Sequence, residues 1–269
     1  MAARSVLERD GVRIACRDFG GDGPSALLLH GLAGHAGEWT ETAGWLTQRS
    51  RVVVFDARGH GRSEHLPLDV SRAAHVADTV FVVEQLRLGP VVLIGQSLGG
   101  HTALLVAAER PDLVRGLIVA DASPAEGDHG AVVELGDALK RWPVPFASRE
   151  AALEFFGGPS PAAEAWADGL EQRDDGWWPR FDVDLMMRTL SEAVSRSYWS
   201  EWERIRCPTV VVRGGSGVIP AGDAHAMIRP LPQARLIELA GAAHDLHLDR
   251  PAEWREALSE FIDSLAQPC

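Results

Sequence analysis

The stretch V-V-L-I-G-Q-S-L-G-G-H-T-A-L-L, residues 91–105, sets one serine among three glycines between two apolar runs. Gly95, Gly99 and Gly100 surround Ser97, although glycine weakens both strands and helices. Their presence indicates a backbone that turns too tightly for side chains. The pattern G-x-S-x-G between a strand and a helix predicts a nucleophile elbow. Such a turn would hold Ser97 at a helix N-terminus, where free N–H groups favour a developing negative charge.

The rest of the chain alternates short apolar runs with longer helical patterns. The runs that predict buried strands cover residues 26–29, 52–55, 91–94, 117–120, 210–212 and 236–239. The segments that predict helices cover residues 39–49, 71–86, 98–110, 221–228 and 251–266. This alternation predicts an α/β fold with a mostly parallel, doubly wound sheet that is covered on both faces. Residues 12–19 alternate apolar and polar side chains, which indicates an antiparallel hairpin at one edge.

One segment, residues 123–206, interrupts this alternation because it shows no buried strand. It contains proline and glycine breaks and six of the nine tryptophans. We expect a helical cap or lid inserted into a core made of residues 1–122 and 207–269. Aromatic rings line most small-molecule sites, so five tryptophans are candidate substrate-binding residues: Trp142, Trp166, Trp177, Trp178 and Trp199. The same segment carries arginines that could bind a carboxylate, although such residues more often face solvent: Arg141, Arg173, Arg180, Arg188 and Arg196.

Composition limits the classes of partner. The 269 residues carry a net charge of −12, which argues against nucleic acid or an anionic membrane surface as a partner. The absence of a long apolar run and of a signal-peptide core predicts a cytoplasmic protein. Three widely spaced cysteines, Cys16, Cys207 and Cys269, favour reduced thiols over a disulfide framework or a metal site. Oligomeric state stays open.

Two further stretches supply candidate partners for Ser97. In L-L-L-H-G-L-A-G-H, residues 27–35, a glycine turn follows a strand, and a tetrahedral oxyanion needs two N–H donors. We expect the backbone N–H groups of Leu32 and Leu98 to supply them, with His30 shaping the loop.

Ser97 also needs a base, and His244 follows the last predicted strand, at the edge where Ser97 lies. His247 is expected to be a structural or pocket residue, and His60 part of a loop network.

With these motifs in their observed order, the chain resembles the α/β-hydrolase superfamily over nearly its whole length. H-G-L-A-G, D-A-R-G-H-G-R-S, G-Q-S-L-G-G and G-A-A-H-D-L-H-L-D-R-P carry the resemblance. It implies an inserted cap at residues 123–206 and a Ser/His apparatus that needs no cofactor. The family also includes dehalogenases and epoxide hydrolases, which attack with an aspartate, so Ser97 argues against both.

The acid of the expected triad departs from the family's usual pattern. Members usually place it four residues before a proline, after the strand that follows the cap, and Ser216 stands at that position. Some relatives place the acid after the strand that precedes the cap, and Asp121 stands there. We therefore predict Asp121 as the acid. Asp223, expected to be a first-turn helix charge, and Asp245, expected to point away, are the alternatives.

The resulting hypothesis is a serine hydrolase that cleaves esters or lactones of small hydrophobic or aromatic substrates through an acyl-enzyme. Ser97 would attack, His244 would transfer the proton and Asp121 would orient the imidazole. Hydrolysis of a carbon–carbon bond beside a ketone, as in meta-cleavage products, can use the same residues. A ligand receptor with slow turnover on the same fold is the alternative from another class.

Overall fold

The computed structural model describes residues 2–266. It contains ten strands in chain order: β1 (Ala3–Arg9), β2 (Val12–Gly20), β3 (Ser25–Leu29), β4 (Arg51–Phe55), β5 (Val91–Gln96), β6 (Val114–Ala120), β7 (Leu170–Arg173), β8 (Gly176–Pro179), β9 (Thr209–Gly214) and β10 (Ala234–Leu239). Eight of them form the main sheet in the order β1-β2-β4-β3-β5-β6-β9-β10. The six runs predicted as strands all lie inside strands of this sheet.

Strand direction divides the sheet into a small antiparallel edge and a large parallel part. β1 pairs antiparallel with β2, and β2 antiparallel with β4. All neighbours from β4 through β3, β5, β6 and β9 to β10 run parallel. The prediction of a mostly parallel sheet with an antiparallel edge hairpin is therefore confirmed. The chain moves outward in opposite directions from β3 and β5, and open sheets bind ligands at the carboxyl ends of such a pair.

Helices cover both faces of the sheet. In chain order they are α1 (Thr40–Leu46), α2 (Arg72–Gln85), α3 (Leu98–Glu109), α4 (His129–Lys140), α5 (Arg149–Phe155), α6 (Pro161–Asp168), α7 (Val183–Val194), α8 (Trp199–Trp202), α9 (Ala221–Ile228), α10 (Leu246–Asp249) and α11 (Pro251–Ala266). A 3₁₀ turn, Ala36–Trp39, precedes α1. Leu27 and Leu29 of β3 pack on one face with α2 and α3, while Leu28 packs on the other with α1 and α11. Burial on both faces explains why the strands read as unbroken apolar runs.

The segment between β6 and β9 contains α4 to α8 and also a two-stranded antiparallel sheet, β7–β8. The expectation that this segment holds no buried strand missed this hairpin. Its strands are four residues long and partly exposed, and their sequences, L-E-Q-R and G-W-W-P, show no clear alternation. Phe146, Ala152 and Leu170 form a small separate cluster with nearby aromatic rings. The division into core and cap stays a prediction.

Composition also led to expectations about the cysteines, a membrane-spanning segment and a metal site. Cys16 is buried and Cys207 is partly buried, and both are free thiols, while Cys269 lies outside the described residues. Among residues 2–266, no helix is both long and apolar enough to cross a membrane. In the same range, no group of three or more histidine, cysteine or acidic side chains could hold a metal ion.

Candidate active site

Ser97 lies in a strained turn between β5 and α3. Its backbone has φ 53° and ψ −121°, a conformation that a non-glycine residue rarely adopts. A Cβ atom at Gly99 would lie 2.3 Å from the carbonyl oxygen of Leu29, and one at Gly95 would lie 2.3 Å from that of Gly99. The close approach of backbone to backbone therefore requires glycine on both sides of the serine, as the opening motif predicts.

The side chains of three residues form a continuous hydrogen-bonded chain. His244 Nε2 lies 2.9 Å from Ser97 Oγ, and His244 Nδ1 lies 2.7 Å from Asp121 Oδ2. Because a carboxylate only accepts, Nδ1 carries the proton and Nε2 is free to accept one from the serine hydroxyl. The structure thus brings together the three residues that the sequence analysis proposed as nucleophile, base and acid.

Asp121 directly follows β6, and its side chain is completely buried. The backbone N–H groups of Val218 and Ile219 donate to its two oxygens, at 2.7 and 3.4 Å. These donors lie in the loop after β9, which has Ser216 where related sequences usually place the acid. A Cβ at Gly217 would lie 2.4 Å from either oxygen of Asp121, so only glycine allows the loop to approach this closely. The loop that lacks a carboxylate therefore holds the carboxylate of the neighbouring strand.

Opposing influences set the pKa of His244. Burial lowers the pKa of the imidazole, whereas the hydrogen bond to Asp121 and the charges of Asp245, Asp121 and Asp249 raise it. The raising effects outweigh burial, so the pKa lies above the ordinary value of 6.5. A more basic imidazole removes a hydroxyl proton more readily but stays protonated to a higher pH.

The backbone around Ser97 offers candidate donors for an oxyanion. Leu98 is the first residue of α3 and lies on the wall of the cavity that contains Ser97. Leu32 lies in the loop after β3, beside Gly31, where a Cβ would be 3.2 Å from the Cβ of Ser97. Within residues 2–266, neither the Leu32 nor the Leu98 N–H donates to another protein group. Both groups are thus free for a ligand oxygen.

The other candidate histidines have structural partners. His30 Nε2 accepts from the Ala57 N–H at 3.0 Å, so its Nδ1–H donates to the Gly31 carbonyl at 2.8 Å. This arrangement matches the loop-shaping role expected for His30. Burial lowers the pKa of His60 to about 3, and its Nδ1 bonds the Arg58 carbonyl within a loop. His247 is buried and stacks on Trp39, with ring centroids 4.1 Å apart.

The two alternative acids lie near the site without bonding His244. Asp223 is in the first turn of α9, as expected, and borders the cavity. The Asp245 side chain accepts from Gln96 Nε2 at 3.3 Å. Sequence reasoning assigned no role to Gln96, because nothing in the pattern G-x-S-x-G distinguishes the side chain at x.

A cavity of about 600 Å³ opens above Ser97 and His244. Its wall is mostly apolar and comes from the loop after β6, from α4 and α7, and from the loop after β9. The apolar side chains on it belong to Leu98, Ala122, Ala125, Ala131, Val132, Leu135, Leu190, Ala193, Val194, Val218, Ile219 and Pro220. Helical spacing in α4 and α7 was the signal that could have predicted these positions.

The cap tryptophans proposed as substrate-binding residues do not reach this cavity wall. Trp142 and Trp166 are partly buried and pack edge to face, with ring centroids 5.8 Å apart. Trp177 and Trp178 belong to the β7–β8 hairpin, and Trp199 packs against the main core. Within the described residues, the wall includes no lysine or arginine either. Trp142 and Trp166 instead pack against apolar side chains of their own segment, Leu139, Phe181 and Met186 among them, which holds both rings away from the wall.

Comparisons with known proteins agree with this geometry. A family model described as the alpha/beta hydrolase family matches residues 26–257. The sn-1-specific diacylglycerol lipase ABHD11 of Mus musculus is 32% identical over 254 residues, which cover 89% of this chain and 81% of that protein. A putative esterase/lipase of Haemophilus influenzae is 26% identical over 247 residues, which cover 89% of this chain and 83% of that protein. The crystal structure of E-2-(acetamidomethylene)succinate hydrolase has a TM-score of 0.90 at 22% identity, and the match covers 98% of this chain and 100% of that one.

Proposed function

This chain belongs to the alpha/beta hydrolase family, and from that premise we propose that it is a serine hydrolase of uncharged carboxylic esters. One observation supports the proposal above all. The hydrogen-bonded chain Ser97–His244–Asp121 ends at the floor of an aliphatic cavity. A hydroxyl activated in this way is the usual nucleophile of acyl transfer.

The first half of the reaction forms an acyl-enzyme. Ser97 Oγ attacks the ester carbonyl carbon while its proton passes to His244 Nε2. The resulting imidazolium is stabilised by the carboxylate of Asp121, and the oxyanion accepts hydrogen bonds from the N–H groups of Leu32 and Leu98. The tetrahedral intermediate then collapses, and the leaving alcohol departs with the proton from His244.

The second half repeats this sequence with water. His244, again neutral, removes a proton from a water molecule that attacks the acyl carbon. Collapse of the second intermediate returns the proton to Ser97 Oγ and releases the carboxylic acid. The free enzyme is regenerated, and no redox step or cofactor enters the balance.

The charges around the cavity favour an uncharged acyl group. Besides Asp121 of the triad, three acidic side chains border the cavity, those of Glu126, Asp128 and Asp223, and among residues 2–266 no lysine or arginine does so. A carboxylate on the substrate would lie against these acidic side chains and a mostly apolar wall, with no lysine or arginine of the described residues to pair with it. An aliphatic or aromatic chain would instead gain from burial against the wall.

A matched panel of substrates tests this proposal. We expect hydrolysis of p-nitrophenyl butyrate with a kcat/KM at least tenfold above that of mono-p-nitrophenyl succinate, which adds a carboxylate to an acyl chain of similar length. Raising the salt concentration should lower the ratio of the two kcat/KM values, because salt screens exposed charges. Lactones and a meta-cleavage diketone are assayed in parallel. A diketone cleaved faster than every ester and lactone would replace this proposal with carbon–carbon bond hydrolysis.

We further propose that residues 123–206 act as a cap that selects the acyl chain. Ala193 is buried on α7 and lines the cavity, so Ala193→Phe would fill part of it. The kcat/KM for p-nitrophenyl octanoate, divided by that for p-nitrophenyl acetate, should fall about tenfold or more, because the phenylalanine ring takes the space of the longer acyl chain. Trp178→Phe, in the β7–β8 hairpin, is the matched control and should leave the ratio unchanged. An unchanged ratio in a folded Ala193→Phe variant refutes the cap's role.

A further inference from the structure

Gln96, the residue before the nucleophile, connects two loops that the reaction needs. Its side chain is buried, and Nε2 donates to the carbonyl oxygen of His244 at 3.0 Å. The same nitrogen lies 3.3 Å from Asp245 Oδ1. Ser97 and His244 are 147 positions apart in sequence, yet an amide adjacent to one holds the backbone of the other.

The other end of the Gln96 amide lies against the oxyanion loop. A Cβ at Gly31 would be 2.3 Å from Gln96 Oε1, so the side chain fits only because Gly31 has none. Gln96 thus lies between residues 31–32, which offer an oxyanion donor, and residues 244–245, which contain the base. Its Nε2 has two acceptors on the His244 side, while Oε1 occupies the space that a side chain at residue 31 would fill.

We propose that Gln96 is a positioning residue that fixes the position of the His244 loop relative to Ser97 and to the loop of residues 31–32. This inference rests on the proposed serine-hydrolase function. The hydrogen bond to the His244 carbonyl fixes the backbone from which the imidazole projects. A displacement of about 1 Å in the base can lower a rate 10²-fold, so a single buried bond can matter to turnover.

The same amide also contacts the carboxylate beside the base. Burial raises the pKa of Asp245, and Glu38 and Asp249 raise it further, while His247 and His244 lower it. Among the described side chains, Gln96 is the only donor to this carboxylate. Asp245 in turn raises the pKa of His244, together with Asp121 and Asp249. Loss of the Gln96 donor should favour the neutral form of Asp245 and so lower the pKa of His244.

Gln96→Met tests both effects, because methionine has a similar length and shape but no donor. We expect kcat on p-nitrophenyl butyrate to fall about 10- to 100-fold, with KM changed less than about threefold. The acid limb of kcat/KM should move to lower pH. Gln233→Met is the matched control: its Nε2 donates to the Ile205 carbonyl at 3.1 Å, away from the cavity, and its loss should alter neither kcat nor the pH profile.

A second variant covers the case in which Gln96→Met folds poorly. Asp245→Asn keeps an acceptor for Gln96 but removes the charge. Asp245→Asn should move the acid limb of the kcat/KM profile to lower pH. It should lower kcat, measured above that limb, less than tenfold. The inference is overturned if Gln96→Met keeps wild-type kcat, or if neither variant moves the limb. Ser97→Ala, measured in parallel, separates the two proposals, because an active Ser97→Ala refutes the hydrolase mechanism whatever Gln96 does.

Discussion

Replacing Asp121 by asparagine is the most informative perturbation of the site, because it removes one charge and little else. Asp121 has φ 45°, a left-handed conformation that asparagine also tolerates. The Val218 N–H and His244 Nδ1–H both point at Oδ2, so the asparagine oxygen should take that position. Only the weaker contact from Ile219, at 3.4 Å, is then lost. The fold and the imidazole tautomer should both survive.

The lost charge sets the size of the effect. Two unit charges about 4 Å apart interact by about 4 kcal/mol at an effective dielectric constant near 20, a suitable value for a buried pair. Because the imidazolium forms only during the reaction, this energy is removed from the transition state. At about 1.4 kcal/mol per factor of ten, kcat should fall by about 10³, within a range of 10² to 10⁴.

The assay is kcat on p-nitrophenyl butyrate, with the thermal unfolding midpoint measured as a check on folding. Asp223→Asn and Asp245→Asn are the controls, and each should change kcat less than tenfold. Asp223 is the more demanding control, since it borders the same cavity. If Asp121→Asn stays within tenfold of wild type while Asp223→Asn is inactive, Asp121 is not the acid of the triad.

Three further outcomes follow from the same geometry. Adding Ser216→Asp to Asp121→Asn should restore part of the lost kcat, by returning a carboxylate to the position that relatives use; no gain at all would mean that this loop cannot aim one at His244. Gly217→Ala should lower kcat at least tenfold, because its Cβ would collide with Asp121, whereas Gly222→Ala, with nothing within 4 Å, should keep kcat and gain about 0.5–1 kcal/mol of stability; equal activities would contradict the tight contact. The acid limb of the kcat/KM profile should lie above pH 6.5, since neutral His244 is the active base and its pKa is raised; Asp121→Asn should move the limb to lower pH, and a limb that stays in place would exclude Asp121 as a cause of the shift.

Local signals made much of the fold predictable. The strands read as apolar runs because both faces of the sheet are buried, and Gly95 and Gly99 marked the turn because two backbones nearly touch there. Asp121 could be chosen because the chain resembles a family in which some members place the acid after the strand that precedes the cap, and Asp121 follows that strand. Its proximity to His244 is a feature of the structure, while its role stays a prediction.

The cavity wall was harder to predict, because it depends on how distant segments pack. Tryptophan content suggested an aromatic wall, yet the rings of Trp142 and Trp166 pack against each other and against a separate apolar cluster. The wall instead uses aliphatic side chains of α4 and α7, which look like any amphipathic helix in sequence. The role inferred for Gln96 depends on a contact across 148 positions of sequence, for which no local pattern gives a signal.

Covalent labelling shows whether Ser97 is a nucleophile activated by His244. A fluorophosphonate probe, followed by intact mass and peptide mapping, should label wild-type protein once, at Ser97. Ser97→Ala should fold normally, take up no label and lose at least about 10³ in kcat on its best ester. Labelling at another residue, or a Ser97→Ala variant that keeps more than about a tenth of wild-type kcat, would contradict the account.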